Sequence, residues 1–340
     1  MTRFVRLGAP TSVLVAILLS VGCKQPPPAL HRAIMDQDQA RVEELLEGGS
    51  DPERIWRFTQ WGHSGMTFNQ SPLLLAVTLP NQGIIRLLVS HGAGLYHTKY
   101  GEMTPFEWAI RFESFDNAWL LWELSDQQTY RTANVLRIAY DGGHIQVFSR
   151  LLEEVSTPES VGGLFAQYAE FSSAGGNHGL VKIEELLALG LEPTPSALVA
   201  AARNRNADIA LLLLDAGVPI DGSEGEYSPL YTAMTGLDTS LAHLLLERGA
   251  NPNQLDPYGR TVAMNVVRVR RARDPATVPQ LREDLQKHVL DRLELLASYG
   301  ADLSLRDPEG RSIVDFLDQE HDPDADHSRA RVGALLDASR

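Results

Sequence analysis

The sequence of 340 residues contains a single cysteine, Cys23. One cysteine cannot form an intramolecular disulfide, so a fold stapled by disulfides is excluded. A long apolar run is also missing near the N-terminus. The stretch from Val13 to Leu19 is shorter than the roughly 20 residues that a membrane-spanning helix requires, and Pro10 interrupts the segment. We therefore expect neither a disulfide framework nor a spanning helix in this segment.

Complete signatures of enzymes and metal sites are also missing. Gly62–Met66 approaches a Gly-x-Ser-x-Gly elbow but lacks its last glycine, and the glycine-rich segment 174–179 has no lysine for a phosphate loop. Aspartates alternate over 322–326 as at the start of a calcium loop, yet His327 stands where glycine is needed. The ten histidines do not form a His-Glu-x-x-His pair. We predict that the protein is not an enzyme and has no metal or cofactor.

Basic residues are in the minority. The 30 lysines and arginines stand against 44 aspartates and glutamates, which gives a formal charge of −14 at pH 7. Nucleic acid and anionic lipid surfaces are therefore poor partners for the protein. The acidity either attracts a basic protein or serves only to keep the chain soluble, and the sequence leaves both interpretations open.

The N-terminus carries an export signal. Arg3 and Arg6 precede the apolar run, and small residues lead to Cys23, as in a secretory signal. The end of this signal, residues 20–23 (Ser-Val-Gly-Cys), resembles a bacterial lipobox, although serine stands where leucine is usual. The resemblance implies a signal peptide over 1–22, lipid on Cys23 and a mature charge of −16 from 28 basic and 44 acidic residues. An ordinary secretory signal with an incidental cysteine is the alternative.

Residues 23–29 form the expected tether. Three prolines, Pro26 to Pro28, favour an extended polyproline conformation. At about 3.1 Å per residue, the tether holds the following domain roughly 20 Å from the bilayer. Lys24 replaces the aspartate that resembles an inner-membrane retention signal. We therefore predict a periplasmic, lipid-anchored protein, on the outer membrane in preference to the inner membrane.

A unit of about 33 residues recurs along the rest of the chain. Each copy has a capped helix start, a Leu-Leu pair and a closing residue, and the closing residues are Gly49, Gly92, Ser125, Val155, Gly190, Gly217, Gly249 and Gly300. The Leu-Leu pairs, predicted to be buried, are Leu87-Leu88, Leu186-Leu187, Leu245-Leu246 and Leu295-Leu296. Self-similarity at this period is typical of repeat proteins, in which no unit folds alone.

Three helix starts resemble the Thr-Pro-Leu-His-x-Ala motif of the ankyrin family, namely those that begin at Ser71, Thr104 and Ser228. Threonine or serine caps the helix, proline has no amide to leave unsatisfied, and glycine ends the second helix in the left-handed conformation. The resemblance covers residues 30–340. It implies an all-α ankyrin-repeat solenoid of about nine helix-turn-helix repeats with short hairpin loops and insertions near 53–70 and 268–287.

The resemblance also predicts where a partner binds. Ankyrin proteins usually bind through hairpin tips and through an exposed row on their first helices, and the variable position before the motif alanine lies on that row. By motif alignment the row contains Arg32, Leu75, Trp108, Ile138, Ala200, Thr232 and Asn265. Three successive apolar residues of this row and all five tryptophans lie in the N-terminal half. We therefore predict a partner site there, with aromatic anchors.

The two insertions leave alternatives open. The first carries Trp56, Phe58, Trp61 and Phe68, and it either overhangs the groove as a binding loop or packs back on the first two repeats as a flap. The second begins with four arginines within 268–273. These arginines form the solvated end of a lengthened helix, or they accept an acidic loop of a partner or a lipid headgroup, and the first interpretation is favoured. Trp119 and Trp122 are expected in the core.

These observations favour a membrane-tethered, monomeric interaction module that binds a protein partner in its groove. The predicted contact residues are Trp56, Phe58, Trp61, Leu75, Trp108 and Ile138. One alternative is an immunity protein that neutralises a toxin acting in the periplasm. Another is a scaffold that supports a periplasmic stress-defence enzyme. The sequence does not separate them.

Overall fold

The computed structural model describes residues 26–59, 67–96, 103–125, 132–154, 156–170, 178–235, 239–269, 279–318, 330 and 332–334. The chain divides into two compact units, Met1–Thr157 and Pro158–Arg340. Cys23, Trp61 and Arg270 to Arg273 therefore lie outside the described residues.

The first unit contains four helix pairs and one short sheet among its described residues. The helices are α1 Ala29–Met35, α2 Gln39–Glu47, α3 Pro72–Ala76, α4 Gln82–Ser90, α5 Pro105–Arg111, α6 Phe115–Leu124, α7 Ala133–Asp141 and α8 Ile145–Glu154. The first helices of successive pairs (α1, α3, α5 and α7) contact one another in a row, and the second helices α2 and α4 also contact each other.

The second unit repeats this arrangement. Its helices are α9 Pro158–Glu170, α10 His178–Ala188, α11 Pro195–Arg203, α12 Ala207–Asp215, α13 Pro229–Met234, α14 Ser240–Glu247, α15 Val262–Val269, α16 Pro279–Ser298 and α17 Ile313–Asp318. The first helices α9, α11, α13, α15 and α17 again pack in sequence. At 20 residues, α16 is far longer than the other second helices. The second insertion therefore lengthens a second helix.

The predicted caps are present at the motif helices. The Ser71 hydroxyl accepts a hydrogen bond from the Leu74 amide at 3.2 Å. The Thr104 hydroxyl accepts one from the Glu107 amide at 3.2 Å, and the Glu107 carboxylate accepts one from the Thr104 amide at 2.8 Å. This reciprocal pair is a capping box that satisfies two amides which have no partner inside the helix.

The closing glycines are also confirmed where the structure describes them. All six have positive φ angles, between 77° at Gly190 and 92° at Gly249. This left-handed conformation is open to glycine because it lacks a Cβ atom. Together with the helix pairs, these turns confirm the all-α fold class. Each unit is built from successive helix-turn-helix pairs, as the resemblance implied.

The core is formed by one face of each helix, and the Leu-Leu pairs contribute unequally to it. Leu245 and Leu246 are both buried, whereas Leu296 is buried and its neighbour Leu295 is only half-buried. Leu87 and Leu187 are likewise half-buried beside fully buried partners. The prediction that both leucines of every pair are buried is therefore wrong, because adjacent residues on a helix point about 100° apart.

A two-stranded antiparallel sheet occupies the first insertion. Strand β1 (Trp56–Thr59) pairs with β2 (Thr67–Gln70), with Trp56 opposite Gln70. The Trp56 side chain is buried, and its ring meets His31 of α1 edge to face at 6.0 Å. The Glu53 carboxylate accepts a hydrogen bond from the Gly94 amide at 2.7 Å. The base of the insertion therefore packs on the first two repeats, as the flap interpretation requires.

His31 couples this hairpin to the first repeat. Its Nε2 atom lies 3.0 Å from the carbonyl oxygen of Gln70. A carbonyl can only accept, so Nε2 carries the hydrogen and Nδ1 is bare in the neutral ring. Nδ1 is buried without a hydrogen-bond partner. Protonation would place an unsatisfied N–H in the core, and burial accordingly lowers the pKa of His31 below its ordinary value of 6.5.

We expect His31 to make the stability of the protein pH-dependent. Because its pKa is lower in the folded than in the unfolded chain, its stabilising effect is complete above about pH 6.5. The effect is lost as the pH falls from there toward the folded-state pKa. Urea unfolding between pH 7.5 and 5.0 should show a steeper loss for wild type than for His31→Gln, which does not titrate. Equal slopes would show that His31 charges freely in the folded state.

Candidate functional site

Two residues of the predicted contact row are buried in the first unit. Leu75 is 0% exposed and Ile138 is 5% exposed. Every residue of α3 is buried, because α1 and α5 pack on either side of this short helix. In α7 the cap Thr132 stands seven residues before Ala139, whereas five residues separate the corresponding pair in α5. Beside Ile138, the partly exposed side chain is that of Arg137. The prediction that Leu75 and Ile138 contact a partner is wrong.

The predicted aromatic anchors have different positions. Trp56 is 4% exposed and belongs to the core, so its assignment as a contact residue is also wrong. The Phe58 side chain and Trp61 lie outside the described residues, and both stay predictions. Trp108 is half-buried against Phe112, with ring centres 4.6 Å apart, and its Nε1 atom has no hydrogen-bond partner. Among the six predicted residues, Trp108 is therefore the one whose described side chain is partly exposed.

A cleft of about 780 Å³ lies between the second helices α4, α6 and α8 of the first unit. The Arg150 guanidinium covers the Trp119 ring at 3.7 Å, and Phe115 meets His144 edge to face at 5.2 Å. Polar atoms form most of the wall. Trp122 lies in the core as predicted, at 7% exposure, whereas Trp119 lines this cleft. Since Arg150 already covers Trp119, this cleft is the weaker candidate for a partner site.

A second, more apolar groove of about 620 Å³ runs along the first helices of the second unit. We call it the tyrosine groove. Its lining comes from α9, α11, α13 and two hairpins, and consists of Ala166, Glu170, Ser196, Val199, Ala200, Arg203, Gly225, Glu226, Tyr227, Tyr231, Thr232, Thr235 and Pro257. Two of the predicted row positions, Ala200 and Thr232, lie in this lining. The groove therefore occupies the surface that the repeat fold predicts, but in the C-terminal half.

Helix capping positions the two tyrosines that give the groove its name. The Ser228 hydroxyl accepts a hydrogen bond from the Tyr231 amide at 3.1 Å, which fixes the first turn of α13. Tyr227 precedes this cap, and its ring stacks on that of Tyr231 with centres 4.6 Å apart and planes 22° from parallel. Tyr227 is 38% exposed. Such stacked aromatic side chains give a partner a large contact area that loses little conformational freedom on binding.

The exposed apolar surface continues onto the next hairpin. Leu255 is 50% exposed and Tyr258 is 57% exposed. With Tyr227 they account for three of the six large apolar side chains that are exposed among the described residues. All three precede a first helix of the second unit, α13 or α15. Pro257, next to Tyr258, lines the tyrosine groove, so this hairpin extends the groove.

The groove carries charges of both signs. Arg203 pairs with Glu170 at 3.0 Å, and both side chains remain largely exposed. Burial, followed by the neighbouring Tyr227 and then Asp256, raises the pKa of Tyr231, while Arg268 and Arg260 lower it to a smaller extent. The phenol of Tyr231 is therefore neutral near pH 7, and its hydroxyl can donate a hydrogen bond to a partner.

Two tyrosines in the sequence pointed to this site, but the larger number of tryptophans in the N-terminal half directed the prediction there. Tyr231 occupies the histidine place of the helix-start motif, and Tyr227 directly precedes its serine cap. In the helices that start after Ser71 and Thr104 the same motif place is buried, at Leu74 and Glu107, so the exposure of Tyr231 is particular to this repeat. The five tryptophans favoured the N-terminal half instead, although Trp56 and Trp122 serve the core.

Comparisons with known proteins give limited similarity. No protein-family model matches the chain. Over 77 residues the chain is 36% identical to Zygote-specific protein 3 of Chlamydomonas reinhardtii, and the match covers 23% of this chain. The chain thus spans only 21% of the length of that relative. The ankyrin repeat domain of Bcl-3, a member of the IkappaB protein family, aligns over 86% of this chain and 95% of its own, with 19% identity and a TM-score of 0.29. Neither similarity indicates a partner for this chain.

Two structural features are missing from the part of the chain that the structure describes. None of its helices is both long and apolar enough to cross a membrane. Nor do its residues bring three or more histidine, cysteine, aspartate or glutamate side chains into an arrangement that could hold a metal ion.

Proposed function

We propose that the protein is a membrane-tethered interaction module that binds a protein partner in the tyrosine groove. The observation that carries the proposal is the stacked pair Tyr227–Tyr231 in an open, apolar groove along the first helices. Repeat folds use this extended surface for binding, and tyrosine is enriched among the residues that dominate protein interfaces. The groove replaces the N-terminal site predicted from the tryptophans, apart from Trp108.

The proposed location is the periplasm, with a lipid on Cys23 as anchor. Its support is the sequence of residues 1–29: a signal-like start, a lipobox-like end and a proline-rich tether. The formal charge of −14 adds support for a protein partner over nucleic acid. Incorporation of radiolabelled palmitate into wild type and its absence in Cys23→Ser would test the anchor.

The partner class has two candidates within this proposal. The acidity of the chain as a whole suits an immunity protein that captures a toxin in the periplasm, because a basic toxin would be attracted to it before the groove makes its own contacts. A scaffold for a periplasmic stress-defence enzyme would use the same groove. The identity of the bound protein decides between the two.

The test is crosslinking of the tagged protein in its native cell envelope, followed by isolation and mass spectrometry. We expect one dominant partner with wild type and a loss of that partner with Tyr227→Ala/Tyr231→Ala. Leu189→Ala is a matched control, since Leu189 is 58% exposed but outside the groove. If the double tyrosine variant still captured the partner, as Leu189→Ala should, the binding site would lie outside the tyrosine groove. A toxin or a housekeeping enzyme as the partner would select immunity or scaffolding.

A further inference from the structure

Two successive hairpins of the second unit share one sequence pattern. Asp256-Pro257-Tyr258-Gly259-Arg260 is followed in the next repeat by Asp307-Pro308-Glu309-Gly310-Arg311. Their backbones also match: the first amide donates to the carbonyl of the arginine, at 2.8 Å in one hairpin and 3.0 Å in the other. Both glycines have positive φ angles, 71° and 79°. The pair therefore allows a comparison of two arginines on the same scaffold.

Arg311 is paired within its own hairpin. Its Nε atom donates to the Asp307 carboxylate at 2.8 Å, and its Nη2 atom lies 2.6 Å from the same carboxylate. Nη2 also donates to Glu309 at 2.7 Å. The guanidinium lies over the Phe316 ring at 5.0 Å. Arg311 thus has a structural role and leaves little capacity for a ligand.

Arg260 has none of these acceptors. Its Nε and Nη1 atoms are buried and have no hydrogen-bond partner among the described residues. The guanidinium lies over the ring of Tyr258 at 4.9 Å, where the other hairpin has the carboxylate of Glu309. Hydrogen-bonding groups of a charged side chain that are buried without acceptors cost free energy. Arg260 as a whole is only half-buried, so its side chain can turn toward a carboxylate at the surface, and pairing with that carboxylate would remove the cost.

A single substitution explains why the Asp256 carboxylate does not hold Arg260. The Asn265 side-chain amide donates to Asp256 Oδ2 at 2.9 Å, and this oxygen corresponds to the one that Arg311 contacts in the next hairpin. Phe316 stands at the position equivalent to Asn265 and donates nothing. The amides of Tyr258 and Arg260 occupy Oδ1. Asp256 is therefore satisfied without Arg260.

The free guanidinium lies beside the tyrosine groove. Pro257 of the same hairpin lines the groove, and the charges of Arg260, exposed Arg268 and Asp256 all act on the Tyr231 hydroxyl. Since Asp256 is already satisfied by Asn265 and two amides, the two arginines are the charges at this end that are left for a ligand. We propose that Arg260 is a carboxylate-binding residue of the tyrosine groove, which takes a partner segment that carries an aspartate or glutamate next to an aromatic or aliphatic side chain.

This inference rests on the proposed function, because the apolar side chain of the segment would lie against Tyr227 and Tyr231. The guanidinium fork matches the two oxygens of a carboxylate, so Arg260 selects the acidic residue and the tyrosines supply contact area. The occupant is a segment of another protein, since the charge complementarity is local and two copies of an acidic chain repel each other.

Selection of 12-residue peptides displayed on phage, with the full chain as bait, tests the inference. We expect the selected peptides to be enriched in aspartate or glutamate beside an aromatic or aliphatic residue. Synthetic copies should bind Arg260→Gln about tenfold more weakly or worse, since hydrogen bonds between charged groups are the strong ones. Changing the acidic residue of the peptide to its amide should weaken binding to wild type by the same factor. The same change should hardly affect binding to Arg260→Gln. Arg260→Lys should fall between them, because it keeps the charge but loses the fork.

Arg311→Gln is the matched control, since it removes the same charge from the equivalent place in the neighbouring hairpin. We expect its peptide affinity to equal that of wild type, once thermal unfolding shows that the variant is folded. Peptides without an acidic bias, or equal affinity of Arg260→Gln and wild type, would overturn the inference. If Tyr231→Ala still lost binding in that case, the groove would remain the partner site.

Two other outcomes would also contradict the proposed function or the choice of another protein as the occupant of the groove. Peptides that bind wild type, Arg260→Gln and Tyr231→Ala equally well, or a selection that enriches no peptide, would contradict both the inference and the proposed function. Light scattering of the chain alone provides a last check. A dimer that dissociates in Arg260→Gln would assign the groove to a second copy of this chain and would overturn the choice of another protein.

Discussion

Replacing Leu245 with alanine is expected to lower the free energy of unfolding by about 2–5 kcal/mol. Leu245 lies in α14 and is 0% exposed, with Leu241 and Leu246 buried beside it. Alanine would leave a cavity that the neighbouring helices cannot fill by a small shift, because protein interiors are closely packed. Urea unfolding followed by far-UV circular dichroism would measure the loss. In a repeat protein, one weakened pair also loosens its neighbours, so the effect should not stay local.

Leu255→Ala is the matched control for this prediction. The chemical change is identical and the residue lies in the same unit, but Leu255 is 50% exposed. Truncation there should change the free energy of unfolding by no more than about 0.5 kcal/mol, as for other surface substitutions. Similar losses in both variants would contradict the burial of Leu245.

Local chemistry made the repeat predictable from the sequence. A capping hydroxyl, a proline at the first helical position and a glycine at the end each act within a few residues. Their roles at Thr104, Ser228 and Gly249 therefore do not depend on which helices pack against them. Even the degraded closing residue Ser125 falls directly at the end of α6, in an extended conformation instead of the left-handed one.

The exposed face of each first helix was not predictable in the same way. Whether Leu75 is exposed depends on the neighbouring helices α1 and α5, and no pattern within six residues of α3 records those contacts. The early start of α7 moved Ile138 into the core and Arg137 to its partly exposed place. The β1–β2 hairpin illustrates the same limit, since its pairing joins residues on either side of a segment with no periodic pattern.

Arg260 shows a third kind of limit. Its hairpin and that of Arg311 differ in sequence at Tyr258 and share the other four residues. The difference that matters lies at Asn265, five residues beyond Arg260, which takes the carboxylate that would otherwise bind the arginine. A sequence comparison of the two hairpins alone would assign both arginines the same structural role.

Replacing Tyr231 with alanine is expected to weaken binding of the partner isolated by crosslinking by about 2 kcal/mol or more, roughly thirtyfold. The ring is half-buried in the groove wall and supports the stacked, more exposed ring of Tyr227. Its loss therefore removes contact area and also frees Tyr227 to move. Isothermal titration calorimetry on the purified chain would measure the change in affinity.

Two further tyrosine variants separate the causes of that loss. Tyr231→Phe keeps the ring and the stacking, so it should retain most of the affinity unless the neutral hydroxyl donates to the partner. Tyr299→Ala removes the same side chain from the second-helix side, where Tyr299 meets His243 edge to face at 5.6 Å. It should leave binding unchanged. If Tyr231→Ala and Tyr299→Ala lost affinity equally, the loss would come from weakened packing of the repeats, and the tyrosine groove would not be the partner site.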